Sequence, residues 1–174
     1  MLNVEFKCEL RDADLARDVL LTLGARFAGE LRQTDTYFRV GIGRVKRRET
    51  PGLQTQYVVY DRADIAAPKI SRFELLTESQ AVSRYGSAPL PVWLTVRKTR
   101  RLFLLDNIRI HLDAVDSLGD FLEFEALVTP DCGIEACHAA VNRLRDALAP
   151  SLGEPVSGGY SDMLARHSEP AQPG

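Results

Sequence analysis

Polar and apolar positions alternate from the first residues: Val4, Phe6, Cys8 and Leu10 fall on one side of an extended chain, and Asn3, Glu5, Lys7 and Glu9 on the other, the period-two signature of a strand. The period then changes. Leu15, Val19, Leu20 and Leu23 recur at helical spacing behind Asp12, whose carboxylate can cap a first turn, so a helix is predicted from residue 12 to about residue 27. Strands follow over 33–40, 44–49 and 54–61, separated by Gly41-Ile42-Gly43 and Thr50-Pro51-Gly52 turns, which makes two successive hairpins. Another strand is predicted over 68–75, and Thr77 with Gln80 has capping-box spacing for a short helix ending near Gly86. Residues 91–97 and 101–105 read as extended, Asp106-Asn107 as a tight turn, 108–114 as the returning strand, and 121–128 as the last strand. Asp131 is placed to cap a second long helix whose stripe is Ile134, Cys137, Val141, Leu144 and Leu148, with Pro150 ending it. Residues 167–174 offer nothing to bury and are expected to be a disordered tail.

Eight or nine strands joined by short turns, with few helices, predict an α+β fold dominated by an antiparallel sheet, and closure into a barrel would remove its exposed edges. With 174 residues, 45% of them hydrophobic and 26% charged, the chain reads as one globular domain over about 1–166. Twenty-two Lys and Arg against 24 Asp and Glu leave a net charge of −2. No global positive field is available for nucleic acid or an anionic membrane, so any polyanion site must be local. Cys8, Cys132 and Cys137 form no C-x-x-C pair, which argues against a disulfide framework or structural zinc and for a reducing compartment. Cys132 and Cys137 are read as five apart on one helix, the wrong spacing for a shared metal. Charges near the N-terminus and the lack of an 18-residue apolar run predict a cytoplasmic protein with no membrane partner.

The polar faces carry the chemistry. Glu5 and Lys7; Arg44, Lys46 and Arg48; Lys98 and Arg100; Arg109, His111 and Asp113; and Glu123 with Glu125 are each spaced i, i+2, opposite apolar sets such as Ile108, Ile110 and Leu112. If the sheet closes, the apolar sets face outward under the helices and the charged sets line a polar tunnel. Cations suit a polyphosphate and carboxylates suit a divalent metal. Periodicity alone leaves an open sheet with solvated charges equally available.

Several blocks together resemble the CYTH family, the triphosphate tunnel metalloenzymes that include class IV adenylyl cyclases and thiamine triphosphatases. Asn3-Val4-Glu5-Phe6-Lys7 is similar to its N-terminal E-x-E-x-K signature, with Asn3 in place of the first glutamate. The blocks Gln33-Thr34-Asp35-Thr36-Tyr37-Phe38, Arg44-Val45-Lys46-Arg47-Arg48-Glu49, Arg97-Lys98-Thr99-Arg100-Arg101, Ile108-Arg109-Ile110-His111-Leu112-Asp113, Gly119-Asp120-Phe121-Leu122-Glu123-Phe124-Glu125 and Gly159-Tyr160-Ser161-Asp162-Met163-Leu164 follow in the family's order. The ordered set carries the resemblance, over about residues 2–164.

The resemblance implies a closed eight-stranded antiparallel β-barrel with flanking helices, holding a small-molecule triphosphate and Mg²⁺ or Mn²⁺. It implies Glu5, Glu123, Glu125 and Asp113 as metal ligands, and Lys7, Arg44, Lys46, Arg48, Lys98, Arg100 and Arg109 as phosphate contacts. Glu5, Lys7 and Arg100 are the residues expected nearest the chemistry. Asn3 would bind a hard cation more weakly than a carboxylate, or would hydrogen-bond a metal-bound water. His111 is a weaker candidate, and Arg62 could extend the basic lining. Trp93, Tyr57 and Tyr60 are read mainly as packing, and His138 and His167 have no partners at ligand spacing. The expectation is a metal-dependent triphosphate hydrolase, monomeric or homodimeric, ranked slightly above an adenylyl cyclase for want of a base-binding motif. A non-catalytic polyphosphate or nucleotide sensor is the rival of a different class.

Overall fold

The computed structural model describes residues 1–41 and 43–168. Strands β1 (Leu2–Leu10), β2 (Arg26–Phe38), β3 (Arg44–Glu49), β4 (Gln56–Arg62), β5 (Lys69–Leu76), β6 (Val92–Leu105), β7 (Ile108–Val115) and β8 (Gly119–Leu127) are interleaved with helices α1 (Ala13–Thr22), α2 (Glu78–Tyr85) and α3 (Ile134–Leu148). A short strand β9 (Leu152–Pro155) and helix α4 (Tyr160–Ser168) follow. The hydrogen-bonded order runs β5-β4-β3-β2-β6-β7-β8-β1, and β1 then pairs back with β5. Eight antiparallel strands therefore close into a barrel. β5 pairs with β1 from Leu2 to Glu5, and β9 takes the rest of that edge at Cys8 and Leu10. No helix among the described residues is long and apolar enough to cross a membrane.

Local chemistry explains most boundaries. The Asp12 carboxylate accepts from Asp14 N at 3.1 Å and Leu15 N at 2.9 Å, starting α1. The helix stops well short of Phe27, because Gly24 takes φ 87 and β2 starts at Arg26, where Phe27 packs on Phe103 of β6 at 5.3 Å. The predicted capping box of α2 forms in both directions between Thr77 and Gln80. Asp106 turns the β6–β7 hairpin at φ 49.

Three expectations change. β6 is one continuous strand, since Lys98-Thr99-Arg100, which looked like a polar break, carries lumen-facing charge. Gly133, not Asp131, is the N-cap of α3, with no side-chain cap, and Ile134 lies off the buried stripe at 38% exposure. Cys132 therefore precedes the helix in a turn closed by Thr129, which brings its sulfur to 3.6 Å from that of Cys137. The expected tail is corrected at its first two residues, His167 and Ser168, which end α4; the rest of that expectation, residues 169–174, lies outside the described residues, as does Ile42 in the first hairpin turn.

The main core lies outside the barrel. Val4, Phe6 and Cys8 of β1, Ile108, Ile110 and Leu112 of β7, and Leu122, Phe124 and Ala126 of β8 are buried with Ala16 and Leu20 of α1 and Cys137, Val141, Leu144 and Leu148 of α3. The apolar parity set thus points out under the helices. A second cluster is built from the opposite parity: Tyr37, Val96, Val115 and Phe121 pack with Tyr160 of α4. Inward-facing apolar residues and this inserted tyrosine fill one end of the barrel. The lumen is a cup.

Candidate functional site

Strand register places the charged parity sets on one inner wall. Lys7 pairs across from Glu123 and Glu5 from Glu125; on the other side of β8, His111 pairs with Glu123 and Arg109 with Glu125. Arg100 faces Asp113, Lys98 faces Gln33, and Asp35 faces Arg48. Because a strand exposes alternate residues to each face, each of these pairs shares the lumen side. The cavity there is about 210 Å³ and is lined by Glu5, Lys7, Lys46, Arg48, Lys98, Arg100, Arg109, Glu123 and Glu125 among the expected residues.

One sector is acidic. Ligand atoms of His111, Glu123 and Glu125 lie within 4.8 Å of one another, and Glu5 stands across from Glu125. Burial tends to raise the Glu123 carboxyl, but Lys7 at 3.1 Å, His111 at 3.4 Å and Arg100 at 3.0 Å hold it well below the ordinary carboxylate range. Burial pushes Glu5 up instead, opposed by its ion pair with Arg62 and assisted by the charge on Glu123. Burial and the positive charge of Arg100 lower His111, so its imidazole favours the neutral form that ligates metals. Asn3 also lines this cavity, and its buried Oδ1 has no hydrogen-bond partner among the described residues. The two carboxylates and neutral imidazole of Glu125, Glu123 and His111 form a compact donor set that fits a divalent cation, with Glu5 on the adjoining strand.

The opposite sector is basic. Lys46, Arg48 and Lys98 converge on Asp35, and Arg100 is held by Asp113 through two bonds, Nε to Oδ1 at 2.7 Å and NH2 to Oδ2 at 2.6 Å. Lys7 Nζ lies 3.8 Å from the centre of the Tyr160 ring. Arg109 reaches Glu125 at 2.9 Å and lies over Phe73.

Two expected residues do not join the lining. Arg44 pairs with Asp64 and lies 4.0 Å from Asp162 in the first turn of α4. The Asp113 carboxylate, 1% exposed, is taken by Arg100 and by the Tyr160 hydroxyl at 2.8 Å. With its oxygens committed to these donors, Asp113 faces inward but does not line the cavity. Tyr57 stacks on Phe38 and borders a different cavity, and Trp93 packs in the plug cluster; of the three aromatics considered, Tyr60 lines the lumen, as does Arg62.

Sequence reasoning missed Asp35 as a participant, although Gln33, Asp35 and Tyr37 show the same i, i+2 parity as the other inner sets. It also missed Lys69, which faces Glu5 across the β1–β5 seam and donates to Ile65 O at 2.8 Å and Ser157 O at 3.4 Å. An isolated lysine at a strand start carries no signal for that role. Tyr160 lay within the family block Gly159–Leu164, but that resemblance assigned it no role.

The comparisons with known proteins agree with this geometry. A protein of Methanocaldococcus jannaschii, named as a candidate adenylate cyclase, is 26% identical over 147 residues, covering 74% of this chain and 79% of its own. A candidate adenylate cyclase from Vibrio parahaemolyticus superposes with a TM-score of 0.69 at 20% identity, over 95% of this chain and 98% of the other. An adenylyl cyclase candidate from Hippeastrum, for which a dominant triphosphatase activity is described, superposes with a TM-score of 0.62 at 12% identity, over 96% of each chain. The CYTH domain model matches residues 1–140, and with this barrel around it the chain belongs to the CYTH family.

Proposed function

We propose that this protein is a divalent-metal-dependent phosphohydrolase acting on a triphosphate held in the barrel lumen. One observation carries the reading: an acidic sector with donors for a hard cation and a basic sector with four further cations face each other across a single cavity of about 210 Å³. A metal–triphosphate complex needs both sectors at once, and neither a bare cation nor an organic anion would.

Glu5, Glu123, Glu125 and His111 would hold Mg²⁺ or Mn²⁺, with Asn3 as a further oxygen donor or an acceptor for a coordinated water. Such an ion supplies charge neutralisation on phosphate oxygens and a more acidic water nucleophile. The chain's own residues do the rest. Lys46, Arg48 and Lys98 bind phosphate oxygens, and Arg100, fixed in orientation by Asp113, stabilises charge that develops on the leaving group. Lys7 bridges the sectors, since its ammonium touches Glu123 and faces the cup. Tyr37, Val96, Val115, Phe121 and Tyr160 pack together toward one end of the barrel, which would favour entry of the substrate from the other. At the cup's other levels Val58, Phe73, Leu75, Leu31 and Leu102 also line the cavity, an apolar wall that suits an organic group attached to the triphosphate.

The names of the relatives favour a second reading, cyclisation of ATP with release of pyrophosphate. The two differ in the nucleophile: water, or the 3′-hydroxyl of the nucleotide. Incubation with tripolyphosphate, thiamine triphosphate and ATP in the presence of Mg²⁺ or Mn²⁺, with products resolved by ion exchange, separates them. Release of inorganic phosphate supports hydrolysis; cyclic AMP with pyrophosphate replaces it with cyclisation; binding without product leaves a sensor.

A further inference from the structure

Asp35 points into the barrel, 0% exposed, but is not among the residues that line the cavity. Its two oxygens nonetheless take four contacts from three cations: Lys46 Nζ at 3.0 Å, Arg48 Nε at 2.8 Å and NH2 at 2.9 Å, and Lys98 Nζ at 2.6 Å. Lys46 and Arg48 come from β3 and Lys98 from β6, the strands on either side of β2. All three cations also line the cavity. We infer that Asp35 is the positioning residue of the anion site: it locks three long basic side chains into one cradle whose remaining donors face the lumen. The inference rests on the reading of the lumen as a triphosphate site, and it assigns a role to a residue that touches no ligand.

The sign of the effect makes this testable. Three cations against one carboxylate leave a surplus of two positive charges, and replacing Asp35 by Asn raises that surplus to three. If Asp35 only diluted the field, its loss would strengthen anion binding. If Asp35 positions the cradle, binding weakens, for two physical reasons. Lysine and arginine side chains regain rotamers that Asp35 had fixed. The lysines also lose the carboxylate that favours their charged form. Burial, Arg48 and Lys98 pull Lys46 down to about 7 against Asp35, with Tyr37 and Tyr60 beside it. Burial, Arg48 and Arg100 bring Lys98 down to about 8 against Asp35 and Asp113, with Tyr160 nearby.

The test is calorimetric titration of the full chain with tripolyphosphate, without added metal, from pH 5.5 upward in roughly half-unit steps. Asp35→Asn is expected to bind at least about tenfold more weakly at low pH, and the pH at which affinity falls is expected to move down by about one unit. A structural role alone would not move that midpoint. Because Asp35→Asn leaves three buried cations together, a second pair guards against misfolding: Lys98→Met, and Asp35→Asn combined with Lys98→Met. The double variant keeps the native surplus of two charges, one more than Lys98→Met alone. Positioning requires it to bind more weakly than Lys98→Met; equal or tighter binding, in this pair or in Asp35→Asn against the native protein, overturns the role of Asp35. Failure of the native protein to bind tripolyphosphate would instead remove the triphosphate reading itself, and the proposal with it.

Discussion

Asp113→Asn isolates a contact on which the cup depends. The carboxylate is 1% exposed and joins three elements: its own strand β7, Arg100 on β6 through a two-point ion pair, and Tyr160 on α4 through a hydrogen bond of 2.8 Å. Burial tends to raise this carboxyl, but Arg100 outweighs it and brings it from 3.8 to about 2. At 1.36 kcal/mol per pH unit, that displacement is worth about 2 kcal/mol of stability at neutral pH. Leaving a buried guanidinium without its main partner costs about 3–5 kcal/mol by analogy with other broken buried pairs; Glu123 at 3.0 Å from Arg100 softens the loss. A range of about 2–5 kcal/mol corresponds to a fall in melting temperature of about 5–20 °C for a chain of this size. The sign with pH follows from a depressed folded-state value: the stabilisation is complete above about pH 4 and is lost as pH falls through about 2. Circular dichroism melts of both proteins should therefore differ by a constant amount from pH 7 to 5 and converge between pH 4 and 2. A difference below about 2 °C at pH 7, or one that persists undiminished at pH 2, would refute the reasoning.

Glu123→Gln and Glu125→Gln are each expected to abolish metal-dependent turnover and to weaken Mn²⁺ binding by at least about tenfold in calorimetry. Their stabilities should diverge, since Glu123 carries contacts to Lys7 and Arg100 whereas Glu125 pairs with the half-exposed Arg109; equal melting temperatures would contradict that. Asp12→Ala removes the cap of α1 and should cost about 1 kcal/mol in denaturant unfolding. Leu20→Ala opens a cavity beneath α1 at a fully buried position, with a loss of about 2–5 kcal/mol by the same measurement.

Barrel and lumen were legible in the chain to different degrees. The inner sets could be read because charge at i, i+2 is repeated on five strands, and burial of both faces, as in β1, leaves no solvated side to blur the pattern. Closure was not in the periodicity: it depends on the β1–β5 seam, four residue pairs far apart in sequence, and the ordered family blocks supplied it. The absence of Asp113 from the cavity lining was not legible either. Its parity is that of Arg109 and His111, and only the position of Arg100 and the insertion of Tyr160 keep it from the cavity. Asp35 was overlooked for the converse reason, since one acid among neutral residues resembles any surface aspartate until three cations from neighbouring strands are seen to meet on it.

The central claim is that both sectors of the lumen act on one metal–triphosphate complex. The most direct measurement is product formation from tripolyphosphate, thiamine triphosphate and ATP by the native protein, with Mn²⁺ or Mg²⁺ and again with the metal chelated. Metal-dependent release of inorganic phosphate from at least one of the three, lost in Glu123→Gln, is the expected result. Cyclic AMP with pyrophosphate as the sole products, or phosphate release that survives chelation or the substitution, would contradict it.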